Sequence, residues 1–223
     1  PGHRRQFTPR WPFTPGVGGD ILLRQSFDLL RQFWALVPAG FERVYSADLL
    51  KLPEDQLLAR WSEAHRAVST GAAFAHRGWY HTLYKDAFRD KKILDFGCGL
   101  GMDTIFYAEH GARVTFVDLV ESNVEVVRRI CQLKRLSPVD FCYMEDLSSL
   151  RDLPTDYDVI CCVGSLITAP LEVARLEAQE LLKHLPVGGR WIEFGYPRTR
   201  WEREGRMPFD RWGEKTDGGA PWI

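Results

Sequence analysis

Apolar residues recur at helical spacing twice in the first third of the chain. Leu23, Phe27, Leu30, Trp34 and Val37 share one face of a helix expected to begin near Asp20 and to end at Pro38 and Gly40. Leu57, Trp61, Ala64 and Val68 form the buried side of a second amphipathic helix, over about 54–69. Residues 1–19 are rich in Pro and Gly and read as an arm. The segment 1–75 is therefore expected to be an arm followed by a helical cap, its apolar stripes serving as packing surfaces. From Lys91 the period changes. Short apolar runs at 93–96, 113–117, 139–143, 157–162 and 190–194 alternate with helical patterns at 103–110, 122–136 and 171–185. Gly111 suits the close of the first of these helices, and Ser122 with Glu125 fits a capping box at the start of the second. Strands alternating with helices predict an α/β fold, a doubly wound and mostly parallel sheet with ligands at the strands' C-terminal ends.

Composition narrows the classes. The chain has 223 residues, 45% hydrophobic and 26% charged, with a formal net charge of -1. That is one domain with an elaboration, and it carries no global positive field for nucleic acid. Five cysteines without a C-x-x-C pair read as reduced structural thiols in a cytoplasmic protein, with no metal-ligand spacing. The most apolar N-terminal stretch holds Arg24, Asp28 and Arg31, which excludes a membrane span. The chain opens on Pro1 instead of Met, which reads as a trimmed form of a longer one.

The chemistry concentrates at strand ends. Asp95-Phe96-Gly97-Cys98-Gly99-Leu100-Gly101 runs from a buried strand into three alternating glycines and then a helix. Glycines there allow a sharp turn and leave no side chain between the main chain and a ligand. The free amides at the start of the helix suit a carboxylate or a pyrophosphate equally. The next strand ends at Asp118, placed to accept hydrogen bonds from two ribose hydroxyls or simply to form a turn. Asp146, after the third strand, is placed to meet an adenine amino group or to cap a helix. A dinucleotide fingerprint wants its third glycine three positions after its second; counted from Gly99 and Gly101, Thr104 stands there.

DFGCGLG resembles the glycine motif of class I, Rossmann-like methyltransferases that use S-adenosylmethionine (SAM). VDLVESNVE resembles their ribose segment, EDLSSL their adenine segment, and LLKHLPVGGRWIEF their late helix-turn-strand. The resemblance covers about 76–196. It implies that Gly97, Cys98, Gly99 and Gly101 line the methionine part of SAM, with Asp95 bracing the loop. It also implies that Asp118 and Leu119 hold the ribose side, Asp146 and Leu147 the adenine, and Val163 and Gly164 the sulfonium. Tyr80 or Arg77 would meet the SAM carboxylate, unless this segment only packs a helix on the sheet. The implied reaction is methyl transfer to a hydroxyl or amino group of a small molecule, with S-adenosylhomocysteine (SAH) as product. His76, His81, Glu193 and Tyr196 are the candidate catalytic groups. The Trp-, Arg- and Gly-rich segment 197–223 leans the expectation toward a saccharide or natural product, with no nucleic acid and no membrane partner. The alternative is a methyltransferase-like binding module without chemistry. The family normally adds a closing hairpin after the fifth strand. The residues after Gly195 show no two clean strands, so either the C-terminus is missing or the sheet closes differently.

Overall fold

The computed structural model describes residues 19–35, 45–70, 77–136, 138–169, 171–195 and 198–203, together with 205, 206 and 208. Five strands alternate with helices: β1 (Lys92–Phe96), α5 (Met102–Glu109), β2 (Arg113–Asp118), α6 (Glu121–Leu133), β3 (Val139–Tyr143), β4 (Val159–Val163), α7 (Leu171–Leu182) and β5 (Arg190–Phe194). Before them come α1 (Gly19–Ala35), α2 (Ser46–Leu49), α3 (Glu54–Thr70) and α4 (Gly78–Tyr84), and after them α8 (Arg198–Arg203). All five strands are parallel, in the order β3-β2-β1-β4-β5. The chain thus starts at the sheet centre, winds to one edge and returns past β1 to the other. The reversal lies between β1 and β4, where such sheets leave a crevice at their C-terminal ends.

Alternation along each strand feeds two cores. Leu94, Phe96, Ile160 and Cys162 point to one face, where Phe27 and Leu30 of α1 join Val173, Ala174 and Leu181 of α7. Ile93, Val114, Val159 and Cys161 point to the other, against Tyr80, Phe88 and Tyr107. A third cluster places Trp61 of α3 and Leu49 of α2 against Ile105 of α5 and Val127 and Ile130 of α6. A three-layer arrangement follows, with α1 and α7 on one side and α3 to α6 on the other. Among the described residues no helix is long and apolar enough to cross a membrane.

One expected start signal is reassigned. The helix expected to open with a capping box at Ser122 instead begins at Glu121, with Val120 at its N-cap and no side-chain cap there. Asp118 supplies the bond from outside the helix, accepting from the Val120 amide at 2.8 Å and from Asn123 Nδ2 at 3.1 Å. The Ser122 hydroxyl pairs with Ser46 on α2 at 2.6 Å. Because the helix starts at Glu121, Ser122 already lies inside the first turn and does not occupy the N-cap.

Candidate cofactor site

A cavity of about 460 Å³ opens at the C-terminal ends of β1, β2, β4 and β5. Phe96, Gly97, Cys98 and Gly99 wall it from β1, and Val117, Asp118 and Leu119 from β2. Val163, Gly164 and Ser165 enter from β4, Phe194 and Gly195 from β5, and Leu30 and Trp34 of α1 cover one side. The size suits a small-molecule ligand.

The glycine loop is built by close approach. Gly97 has φ of 68°, and a Cβ there would meet the Ser165 Cβ at 2.5 Å. Gly101 has φ of 64° and abuts Val127, whose Cγ1 would lie 2.6 Å from an added Cβ. Gly101 therefore turns the chain into α5 and packs on α6; unlike Gly97 and Gly99, it does not line the cavity. Asp118 closes the loop from the next strand, its carboxylate accepting from the Gly99 amide at 3.0 Å. Burial pushes the Asp118 carboxyl up to about 6, against the bonds from Val120, Asn123 and Gly99.

Behind the loop lies a buried ionic knot that the sequence reading missed. Asp103, in the first turn of α5, is 0% exposed. Its carboxylate accepts from Arg77 Nε at 3.1 and 3.2 Å, His81 Nε2 at 2.6 Å, the Tyr80 hydroxyl and the Cys98 thiol at 3.0 Å. Burial alone would raise this carboxyl; the Arg77 guanidinium and the bonds from His81 and Tyr80 outweigh it and hold Asp103 well below the usual carboxylate range. Asp95, also fully buried, accepts from Thr104 Oγ1 at 2.5 Å, and burial together with the Asp103 charge pushes its carboxyl up. Ligand atoms of Asp95, Cys98 and Asp103 lie within 4.8 Å of one another. The Asp103 oxygens are already taken by protein donors. The visible clue to Asp103 was an acid in the opening turn of a mostly apolar helix.

The knot decides several candidates. Arg77 lines the cavity, and its guanidinium Nε is held by the buried Asp103. Tyr80 and His81 do not line it: both are buried, spend their polar atoms on Asp103, and pack against Phe194 and Phe106 respectively. Neither a carboxylate contact for Tyr80 nor a catalytic role for His81 fits that placement. Asp95 lies outside the cavity wall and accepts from Thr104 of α5. Asp146 caps the 3-10 turn Leu147–Leu150, accepting from the Ser148 amide at 2.7 Å, and neither it nor Leu147 lines the cavity. Met144, two residues earlier, does. Glu193 is exposed and accepts from Trp191 Nε1 at 3.2 Å, away from the wall formed by Phe194 and Gly195. His76 and Tyr196 lie outside the described residues. Glu177 of α7, absent from the sequence reading, lines the cavity.

Comparison with known proteins adds four findings. A family model described as "Methyltransferase domain" matches residues 93–189. The chain is 33% identical over 107 residues to the ubiquinone biosynthesis O-methyltransferase of Idiomarina loihiensis, covering 48% of this chain and 43% of that protein. It is 39% identical over 66 residues to the S-adenosyl-L-methionine-dependent Diels-Alderase iccD of Talaromyces variabilis, covering 29% of this chain and 22% of that one. The chain thus spans half or less of the length of these curated relatives. The crystal structure of the PH0226 protein from Pyrococcus horikoshii OT3 shares the fold, with a TM-score of 0.50, 19% identity, and coverage of 64% of this chain and 69% of that one.

Proposed function

We propose, from the premise that this chain belongs to the class I, Rossmann-like methyltransferases, that it transfers the methyl group of SAM to a hydroxyl of a small organic molecule. One observation carries the reading: Asp118 bonds the Gly99 amide across the mouth of a cavity that both of them line. A side-chain-free turn beside a strand-end carboxylate is a berth for a nucleoside with an attached amino acid. SAM supplies an electrophilic methyl group when bound. The chain's own residues do the rest. Asp118 would accept from the ribose hydroxyls, and the Arg77 guanidinium would take the methionine carboxylate. Leu119 and Met144 would flank the adenine, and Val163 and Gly164 the sulfonium. α1 excludes water above them. Catalysis then rests largely on positioning the acceptor in line with the methyl carbon.

Hydroxyl is preferred to amine because several matched relatives are named O-methyltransferases. The expectation of a saccharide rested on 197–223, most of which lies outside the described residues. Calorimetry is expected to show SAM and SAH binding and no NADH binding. Mass spectrometry is expected to show a gain of one methylene on a hydroxylated acceptor, and cofactor binding with transfer only to protein would sink the small-molecule reading. The relative named a Diels-Alderase favours one second reading, in which the chain holds SAM without spending its methyl. That reading predicts binding with no SAH formed from any acceptor.

A further inference from the structure

Glu177 has no task in the reading above. It is 3% exposed and lines the cavity from α7, on the same side as Leu30, Trp34 and Ala169. Buried carboxyls are ordinarily paired or hydrogen-bonded. Among the described residues no hydrogen bond or ion pair reaches this one, and burial alone pushes its carboxyl up to about 8. Val173 and Leu181, one turn away on either side, are fully buried apolar residues. An acid with no partner among the described residues has therefore been placed inside an apolar stripe. As a pure packing position it is unfavourable, since a leucine of similar reach would remove the desolvation penalty.

The cavity's other polar groups are spoken for. Asp118 and the glycine amides face the nucleoside, and Arg77 the amino acid carboxylate. Glu177 is the remaining acid among the residues of the wall, to which Leu30, Trp34, Met144, Ile167 and Ala169 contribute apolar side chains. We propose that Glu177 is the catalytic base for the acceptor, and that the acceptor is an apolar molecule bearing a phenolic or enolic hydroxyl. The proposal rests on the methyltransferase reading and assigns the proton that reading leaves unplaced. The acceptor O–H bond breaks and its proton passes to the Glu177 carboxylate. An oxygen lone pair forms the new C–O bond to the methyl carbon. The C–S bond breaks with its electron pair going to sulfur, which becomes a neutral thioether. Glu177 ends as the neutral acid and returns its proton to solvent.

The acidity match selects the acceptor class. A carboxyl near 8 lies about two units below a phenol at about 10, so proton transfer within the transition state is mildly uphill. An alkyl hydroxyl resembles water, at about 16, and lies far beyond it. A neutral amine needs no base. The groups able to disturb Glu177 are few. Cys162 on β4 is close enough for its thiol to feel both Glu177 and Glu193 of β5. On α1, Asp28 and Arg31 pair with each other. The turns Leu147–Leu150 and Leu166–Thr168, packed on α7, bring no ionisable side chain. Arg77 and Asp118 share the cavity.

The test uses the full chain with SAM, catechol and para-cresol as phenolic probes, cyclohexanol as the alkyl probe, and SAH formation as readout. The expected result is transfer to a phenol and none to cyclohexanol, with a rate that rises with pH and levels off around 8. E177Q is expected to slow transfer at least about 100-fold while leaving SAM affinity within about twofold, and E177D to restore part of the rate. E177Q removes a lone buried acid, so its thermal midpoint should equal or exceed the wild type. A full rate in E177Q, equal transfer to cyclohexanol, or no transfer to either phenol by a chain that binds SAM would each overturn the proposal. A chain that binds no SAM would instead sink the methyltransferase reading itself.

Discussion

Asp103 and Asp118 are both buried acids, yet their surroundings drive them in opposite directions. Asp103 faces a guanidinium and three further donors. Its folded-state pKa lies below the unfolded value, so its contribution to stability is present above about pH 4 and fades only as pH falls further. Asp103→Asn leaves the Arg77 charge without its counterion in a mostly buried site. It is expected to destabilise the fold by about 3–5 kcal/mol, read as a lower midpoint in chemical denaturation, and to weaken SAM through a misplaced Arg77. Asp118 has only uncharged donors, and burial holds its carboxyl near 6. Below that pH the protonated form has lost acceptor capacity toward ribose hydroxyls, so SAM affinity is expected to drop as pH falls through about 6. Asp118→Ala should weaken SAM more than about tenfold at pH 8, about 1.4 kcal/mol or more, and remove that pH step. Calorimetry across pH checks both, and an unchanged affinity in the variant takes Asp118 out of the site. Glu177 is the opposite case: its folded-state pKa is raised, so the native state loses stability as pH rises from about 4.5 to about 8. E177Q is expected to flatten the stability profile in that window, as thermal midpoints at successive pH values would show.

α4 is the element that carries Arg77 to the cavity, and one glycine sets its seat. A Cβ on Gly78 would lie 2.0 Å from the Ser69 carbonyl oxygen, backbone that cannot swing aside. Gly78→Ala therefore has to part α4 from the end of α3, shifting Arg77 at its N-cap. A loss of about 1–3 kcal/mol in stability with weaker SAM binding is expected; if only stability falls, Arg77 is not steered by this contact. Elements of this kind were unevenly legible. The five strands stood out because apolar runs of strand length ended in glycine or acid. The helix boundaries fell within a turn or so of the pattern. The partners of Tyr80, His81 and Asp146 were not legible, because sequence shows that a polar group is near a strand end without showing which partner claims it. Tyr80 and His81 turn to Asp103, 23 and 22 positions later, and Asp146 turns to its own loop. Asp103 and Glu177 went unseen because the burial of an acid is settled by packing layers far apart in the chain. Each had left a trace, an acid breaking an apolar helical stripe.

At the scale of the whole molecule, the cavity is where separate layers meet. The sheet ends and α4 supply its polar floor, while Leu30 and Trp34 of α1 supply an apolar wall from the opposite layer. α1 is anchored by Phe27 and Leu30 in the core and by the bond from Arg31 to the Glu145 carbonyl at 2.6 Å. A ligand filling the cavity adds contacts to both layers that the empty fold does not make. Binding to the native state alone stabilises it by about 2.7 kcal/mol at a ligand concentration 100 times the dissociation constant. That linkage concerns global unfolding. Opening of α1 away from the sheet would break the same contacts, so local opening should be suppressed as well. Hydrogen exchange with and without SAH is therefore expected to show slower exchange in the amides of 19–35 together with those of the glycine loop. Trp34→Ala, which removes much of the wall without touching the loop, should abolish the protection of α1 and retain most of that at Gly97 to Gly101. If SAH protects the loop and leaves 19–35 unchanged in the wild type, α1 does not close over the ligand. The exclusion of water from the reacting centre would then have to come from another part of the chain.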